Sequence, residues 1–168
     1  SVVSNGNLQF TSGNTNWMRA IGTIGITSGK WYWECTASVA AQTGVGIDNG
    51  GVQWDNFSNN YYYYTDGTFN NAGTSGAYGA SFTNGDIIGV ALDMDNGKLW
   101  FSKNGTWQSS GDPASGANAA YTTGLSGVSI SPCIGNGLGG INIGVDPTLL
   151  PSWMFSYTSP SQNLSWST

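Results

Sequence analysis

The chain has 168 residues, of which 8% are charged and 13% aromatic, with a net charge of -5 and no histidine. Disordered chains are highly charged and poor in aromatics, and nucleic-acid binding needs a basic surface to displace counterions; four Lys and Arg cannot build one, so both classes fall. Without His the usual general base and the commonest metal ligand are missing, and no apolar run reaches the roughly 18 residues that span a bilayer.

In chain order, the N-terminal SVVSNGNLQF lacks the basic and apolar regions of a secretory leader. A first strand is expected near 17–26. The clearest strand runs from Lys30 to Val39, with Trp31, Trp33, Cys35, Ala37 and Val39 on one face. Lys30, Tyr32, Glu34, Thr36 and Ser38 lie on the other, the alternation of a half-buried antiparallel strand. Cys35 reads as core rather than as half of a disulfide with Cys133. Another strand follows at 43–48. Residues 48–76 read as a long irregular segment holding Trp54, Phe57, Tyr61, Tyr62, Tyr63, Tyr64 and Phe69 among Asn and Gly. If the four tyrosines are extended, alternate rings face opposite ways and some pack inward.

After a strand near 77–82 comes a hairpin, Asp86 to Lys103, turned by Asn96-Gly97. Asn-Gly suits the two-residue type I′ turn, which would pair Asp95 with Lys98, Met94 with Leu99 and Leu92 with Phe101. One face then carries Ile88, Val90, Leu92, Met94, Leu99 and Phe101 as core, while Gly89 and Ala91 leave room for Trp100. Residues 104–127 form a second irregular segment with Trp107, Asp112 and Tyr121. Strands near 128–134, 139–144 and 153–157 complete the chain. Many short strands separated by turns predict an all-β protein, a two-sheet antiparallel sandwich in one domain, 1–168. Trp31, Trp33, Leu92, Phe101 and Ile134 are its expected core.

Little of this carries chemistry. Asp93-Met94-Asp95-Asn96-Gly97 fails as a calcium loop because the Gly comes one position early and Asn104 stands where a bidentate Glu is needed. Glu34 is the sole Glu, so a paired-carboxylate glycosidase would need a partner from the Asp set. No enzyme, cofactor or metal site is read. The positive signal is the aromatic loops: Trp and Tyr join a flat apolar face to a polar tip and lose little entropy when ordered. The candidate binding residues are therefore Trp54, Tyr61, Tyr62, Tyr63, Tyr64, Trp107 and Asp112.

Gly29-Lys30-Trp31-Tyr32-Trp33-Glu34-Cys35 resembles the early Gly-x-x-Tyr-Trp-Glu strand of SPRY (B30.2-like) domains. Thr43-Gly44-Val45-Gly46-Ile47, Gly85-Asp86-Ile87-Ile88-Gly89 and Leu99-Trp100-Phe101-Ser102-Lys103-Asn104-Gly105 resemble later motifs of that family, in its order. Pro132-Cys133, Asn142-Ile143-Gly144 and Phe155-Ser156-Tyr157 follow, with Ile143 in place of the family's Phe. The resemblance implies a bent antiparallel sandwich of two sheets, a concanavalin-like jelly roll, acting as a non-catalytic recognition module. The Asn/Gly/Ser/Thr-rich style is similar to microbial and bacteriophage members. The leading expectation is thus a virion component, a capsid decoration or tail-fibre domain on a particle surface. Its partners would be virion or surface proteins or cell-surface glycans, with no nucleic acid and no membrane insertion, and an oligomer is compatible. The alternatives are an intracellular protein-binding SPRY adaptor in the cytoplasm and a sandwich-fold lectin or glycosidase.

Overall fold

Period-2 alternation of apolar side chains makes each segment a strand with one face to bury, and two sheets facing each other satisfy both. A computed structural model describes residues 2–4, 9–12, 18–38, 43–49, 60–71, 74–122, 125, 127–136, 141–144 and 155–156. Its strands are β1 Val2–Ser4, β2 Gln9–Ser12, β3 Met18–Ile21, β4 Lys30–Ser38, β5 Thr43–Asp48, β6 Asn60–Tyr64 and β7 Thr68–Asn71. They continue with β8 Thr74–Ala77, β9 Ile87–Asp93, β10 Lys98–Lys103, β11 Thr106–Trp107, β12 Ser131–Asn136, β13 Ile141–Gly144 and β14 Phe155–Ser156. One sheet has the order β1-β2-β13-β4-β9-β10-β11, with β14 also pairing β4; the other has the order β3-β12-β5-β6-β7-β8. The two-sheet antiparallel sandwich expected from the sequence is the architecture found.

The core lies between the sheets. Trp33, Cys35, Ile88, Val90, Leu92, Leu99 and Phe101 come from the first sheet and Val45, Ile47, Tyr61 and Tyr63 from the second, all buried. Trp31 and Ile134 pack against this core only half-buried. Tyr63 stacks on Phe101 with centroids 5.5 Å apart. Tyr121 ties the layers together: its backbone pairs with Leu99, and its hydroxyl donates to Asn70 O at 2.7 Å on the opposite sheet. Cys35 and Cys133 are both free and buried. Val39 lies outside the described residues.

Three sequence expectations need correction. The segment 48–76 holds β6, β7 and all but the last residue of β8, while of 77–82, expected as strand, only Ala77 is strand and 78–82 is irregular. The long hairpin keeps its core face but not its register. Asp93 faces Lys98, Leu92 faces Leu99 and Ala91 faces Trp100, so four residues, 94–97, close it. The Asp93 carboxylate accepts from the Asn96 backbone N–H at 3.0 Å and side-chain amide at 2.9 Å, while Asp95 Oδ1 accepts from Gly29 N–H at 2.8 Å. These bonds stabilise a wider loop, and Lys30 rather than Lys98 supplies an ion pair, 3.4 Å from Asp93. Because the slip is two residues, every side chain keeps its face.

The two-residue Asn-Gly turn does occur, but at Asn104-Gly105. Both residues have positive φ, 49° and 78°, and Lys103 pairs with Thr106 across them. The third correction concerns the face of β4 read as mostly polar. Tyr32 is buried there with Ala91 and Trp100, because residues 107 to 121 cross the outer surface of the sheet.

Candidate functional site

After β10 the chain makes the Asn104-Gly105 turn, forms β11 at the sheet edge and then crosses the outside of the first sheet. Trp107 is half-buried, edge-on to Tyr32 with ring centroids 6.1 Å apart. The buried Gln108 fastens this strap to the loop after β8: its side-chain oxygen accepts from Ala80 N–H at 2.8 Å and its amide donates to Thr106 O. Ser109 and Ser110 follow with φ of 54° and 55°, and Gly111 N–H donates back to Gln108 O at 2.9 Å. This is a left-handed turn of the I′ kind made by two serines, both exposed.

The far side of the strap is equally bound. Asp112 accepts from Ala114 N–H at 2.9 Å and from the Ser115 hydroxyl at 2.6 Å; with the Ser115 bond foremost, these hold its carboxyl below the usual range. From the sheet beneath, Trp100 Nε1 donates to Ala117 O at 2.8 Å and Lys98 Nζ to Gly116 O at 2.7 Å. Asn118, with φ of 49°, closes the loop by donating to Ser110 O at 2.9 Å. Among the described residues, Asn104, Ser109, Ser110 and Asn118 are the non-glycine residues with left-handed backbone, and all four lie on this one segment. Strained conformations persist only where surrounding bonds over-determine them, and they cluster at recognition and catalytic sites.

Beside the residues the strap covers, a row runs across four strands and ends on Trp107. Glu34 faces Gly89, Gly89 faces Ser102, and Ser102 faces Trp107. Tyr32 leans over this row and donates its hydroxyl to Glu34 Oε1 at 2.6 Å. Burial first, and then the bond and charge of Glu34, push the Tyr32 hydroxyl pKa well up, so the proton stays on the phenol. Gly89 is required here. A Cβ on it would sit 2.4 Å from both the Tyr32 hydroxyl and Ser102 Oγ.

Of the residues read from the sequence as a binding set, Trp107 and Asp112 share this strap. Trp54 lies outside the described residues. The expectation of Tyr61, Tyr62, Tyr63 and Tyr64 as loop residues is corrected: they form β6 and all four are buried. Tyr61 and Tyr63 point into the core, and Tyr62 and Tyr64 pack with Cys133 on the other face. Glycines make that second face possible, since a Cβ on Gly44 or Gly135 would come within 2.9 Å of the Tyr62 ring. Sequence reasoning missed Tyr32, Ser109, Ser110 and Asn118. The small residues Gly89 and Ala91 hinted at something bulky above them, but nothing marked Ser109-Ser110 as a left-handed turn.

A family model described as the SPRY domain matches residues 23–120, more than half of the chain. The chain belongs to the SPRY domain family. It is similar to Ran-binding protein 9 of Danio rerio, 30% identical over 97 residues that cover 52% of this chain and 16% of that protein. Ran-binding protein 9 of Xenopus tropicalis is 28% identical over 119 residues, covering 61% and 22%. This SPRY chain therefore spans under a quarter of the length of these relatives. The crystal structure of the SPRY domain of human HERC1 superposes with a TM-score of 0.72 at 24% identity, covering 85% of this chain and 89% of that one, a likeness of fold. SPRY domains are protein-interaction modules. No helix among the described residues is long and apolar enough to cross a membrane.

Proposed function

We propose that this SPRY chain is a non-catalytic protein-binding module of the adaptor kind, with 1–168 acting as one unit that holds a partner protein against the strap at Trp107, Ser109, Ser110, Asp112 and Asn118. The observation that carries the reading is the SPRY match over 23–120. The strap adds a place: a surface braced by its own hydrogen bonds, so little entropy is lost on binding. The vertebrate Ran-binding relatives favour the adaptor over the virion component, whose support is compositional style alone. A cytoplasmic setting goes with the adaptor and suits two free cysteines.

The test is selection of a displayed random-peptide library on the immobilised chain, with a glycan array run in parallel. Enriched peptides should bind in the micromolar range, and Trp107→Ala, at an unchanged melting temperature, should weaken them by about tenfold or more. A positive glycan array with no enriched peptide would favour the lectin reading instead.

A further inference from the structure

We propose that the surface at Glu34 and Trp107 receives a cationic side chain, arginine or lysine, from the protein partner; this rests on the protein-binding reading and gives it a chemistry. Glu34 and Trp107 end one cross-strand row, about three strand spacings or roughly 14 Å apart at their Cα atoms. The two residues between them, Gly89 and Ser102, are small. Tyr32 bridges the gap from the neighbouring row, its ring edge-on to Trp107 and its hydroxyl on Glu34 Oε1. A half-buried carboxylate and a half-buried indole are thus joined through one tyrosine.

The charge is not met from within by any lysine. Lys30 lies 3.4 Å from Asp93, Lys103 lies 3.2 Å from Asp86, and Lys98 is spent on Gly116 O at 2.7 Å. Tyr32 is neutral and occupies one oxygen of Glu34. The other oxygen points the chemistry toward a cation, in a chain whose net charge is -5. Trp is the best cation–π partner among the side chains, and a guanidinium can stack on an indole while donating to a carboxylate. The competing reading is that Tyr32 and Glu34 only brace the sheet. Glu34→Gln separates the two, because the glutamine carbonyl still accepts the Tyr32 proton while the charge is gone.

The probe is a short glycine–serine peptide with spaced arginines, titrated into the intact chain by NMR, beside the same peptide with citrulline for arginine. The arginine peptide should shift the amide signals of Glu34 and the indole signal of Trp107, and Glu34→Gln should weaken it about tenfold. Asp66→Asn removes the same charge from an exposed turn on the other sheet and should leave affinity within about twofold. Equal weakening by the two variants, or equal binding of the citrulline peptide, would overturn the cation site. Library peptides that need Trp107 but carry no cation and ignore Glu34→Gln would also overturn it, leaving the protein-binding reading intact. An empty library selection fails that broader reading instead, and the arginine titration still decides this one.

Discussion

Ser109 and Ser110 hold backbone angles that an L-residue adopts at a cost of about 1–2 kcal/mol each. Their turn is the kind Asn-Gly adopts readily. Replacing the pair by Ser109→Asn with Ser110→Gly should therefore stabilise the chain by about 1 kcal/mol, a rise in melting temperature of about 2–4 °C. The same double variant should bind selected peptides less well if the two hydroxyls touch the partner; stability rising with binding unchanged would mean that the turn is only a connector. Gly97 provides the complementary case. Its φ is 63° and no atom lies within 4 Å of an added Cβ, so only the backbone resists substitution. Gly97→Val should cost more than about 1 kcal/mol, and Gly97→Asn should cost clearly less, by denaturant titration.

At the scale of elements, β4 shows how one strand serves two faces. Its odd face packs Trp33, 3% exposed, into the core with Val90 opposite, and Trp33→Ala should cost about 3–5 kcal/mol. A loss below about 1 kcal/mol in a thermal melt would mean the site is far looser than its burial indicates. Its even face holds Tyr32 under the strap. On the opposite sheet β6 does the same with four consecutive tyrosines, inward rings on the core and outward rings over glycines. Period-2 alternation in sequence reports which residues share a face, but it does not report whether the outer face meets water. That depends on which distant segment lies across it, and here residue 107 onward covers Tyr32 and Trp100.

Across the whole molecule, the tyrosines dominate the response to pH. Burial raises the pKa of Tyr32, Tyr61, Tyr62, Tyr63, Tyr64, Tyr78 and Tyr121 above 10.0, and pushes Cys35 up to about 12. Each keeps its proton in the fold at a pH where the unfolded chain would lose it. Stability is thus fully present below pH about 9, where the unfolded thiol begins to ionise, and falls further beyond pH about 10 as unfolded tyrosines follow. Tyrosinate absorbance should appear together with the loss of near-ultraviolet dichroism in one alkaline transition; tyrosinate appearing first, with the fold intact, would show these rings to be accessible. On the acid side, Asp86 and Asp93 have lowered values. Asp86 is held by Thr83 N–H and Asn104, whereas burial of Asp93 is outweighed by Asn96 and Lys30. Their contribution is present above pH about 4 and lost as pH falls through the lowered values. With no histidine to titrate, stability should be nearly flat between pH about 5 and 8.

By itself the sequence determined the sandwich, the core face of β9 and β10, the inward face of β4 and the SPRY kinship, because alternation and motif order are local and survive small errors of register. The hairpin shows the limit. Asn96-Gly97 and Asn104-Gly105 are the same dipeptide, yet only the second makes the two-residue turn, since Asp93 and Asp95 draw the first into bonds with Asn96 and with Gly29, 66 residues before Asp95. The candidate site was legible only in Trp107 and Asp112. Tertiary structure alone decided that the tyrosine run is interior, that the strap covers Tyr32, and that Glu34 and Trp107 share a row. Those facts depend on contacts between residues far apart in the chain, and no local pattern of side chains encodes such contacts.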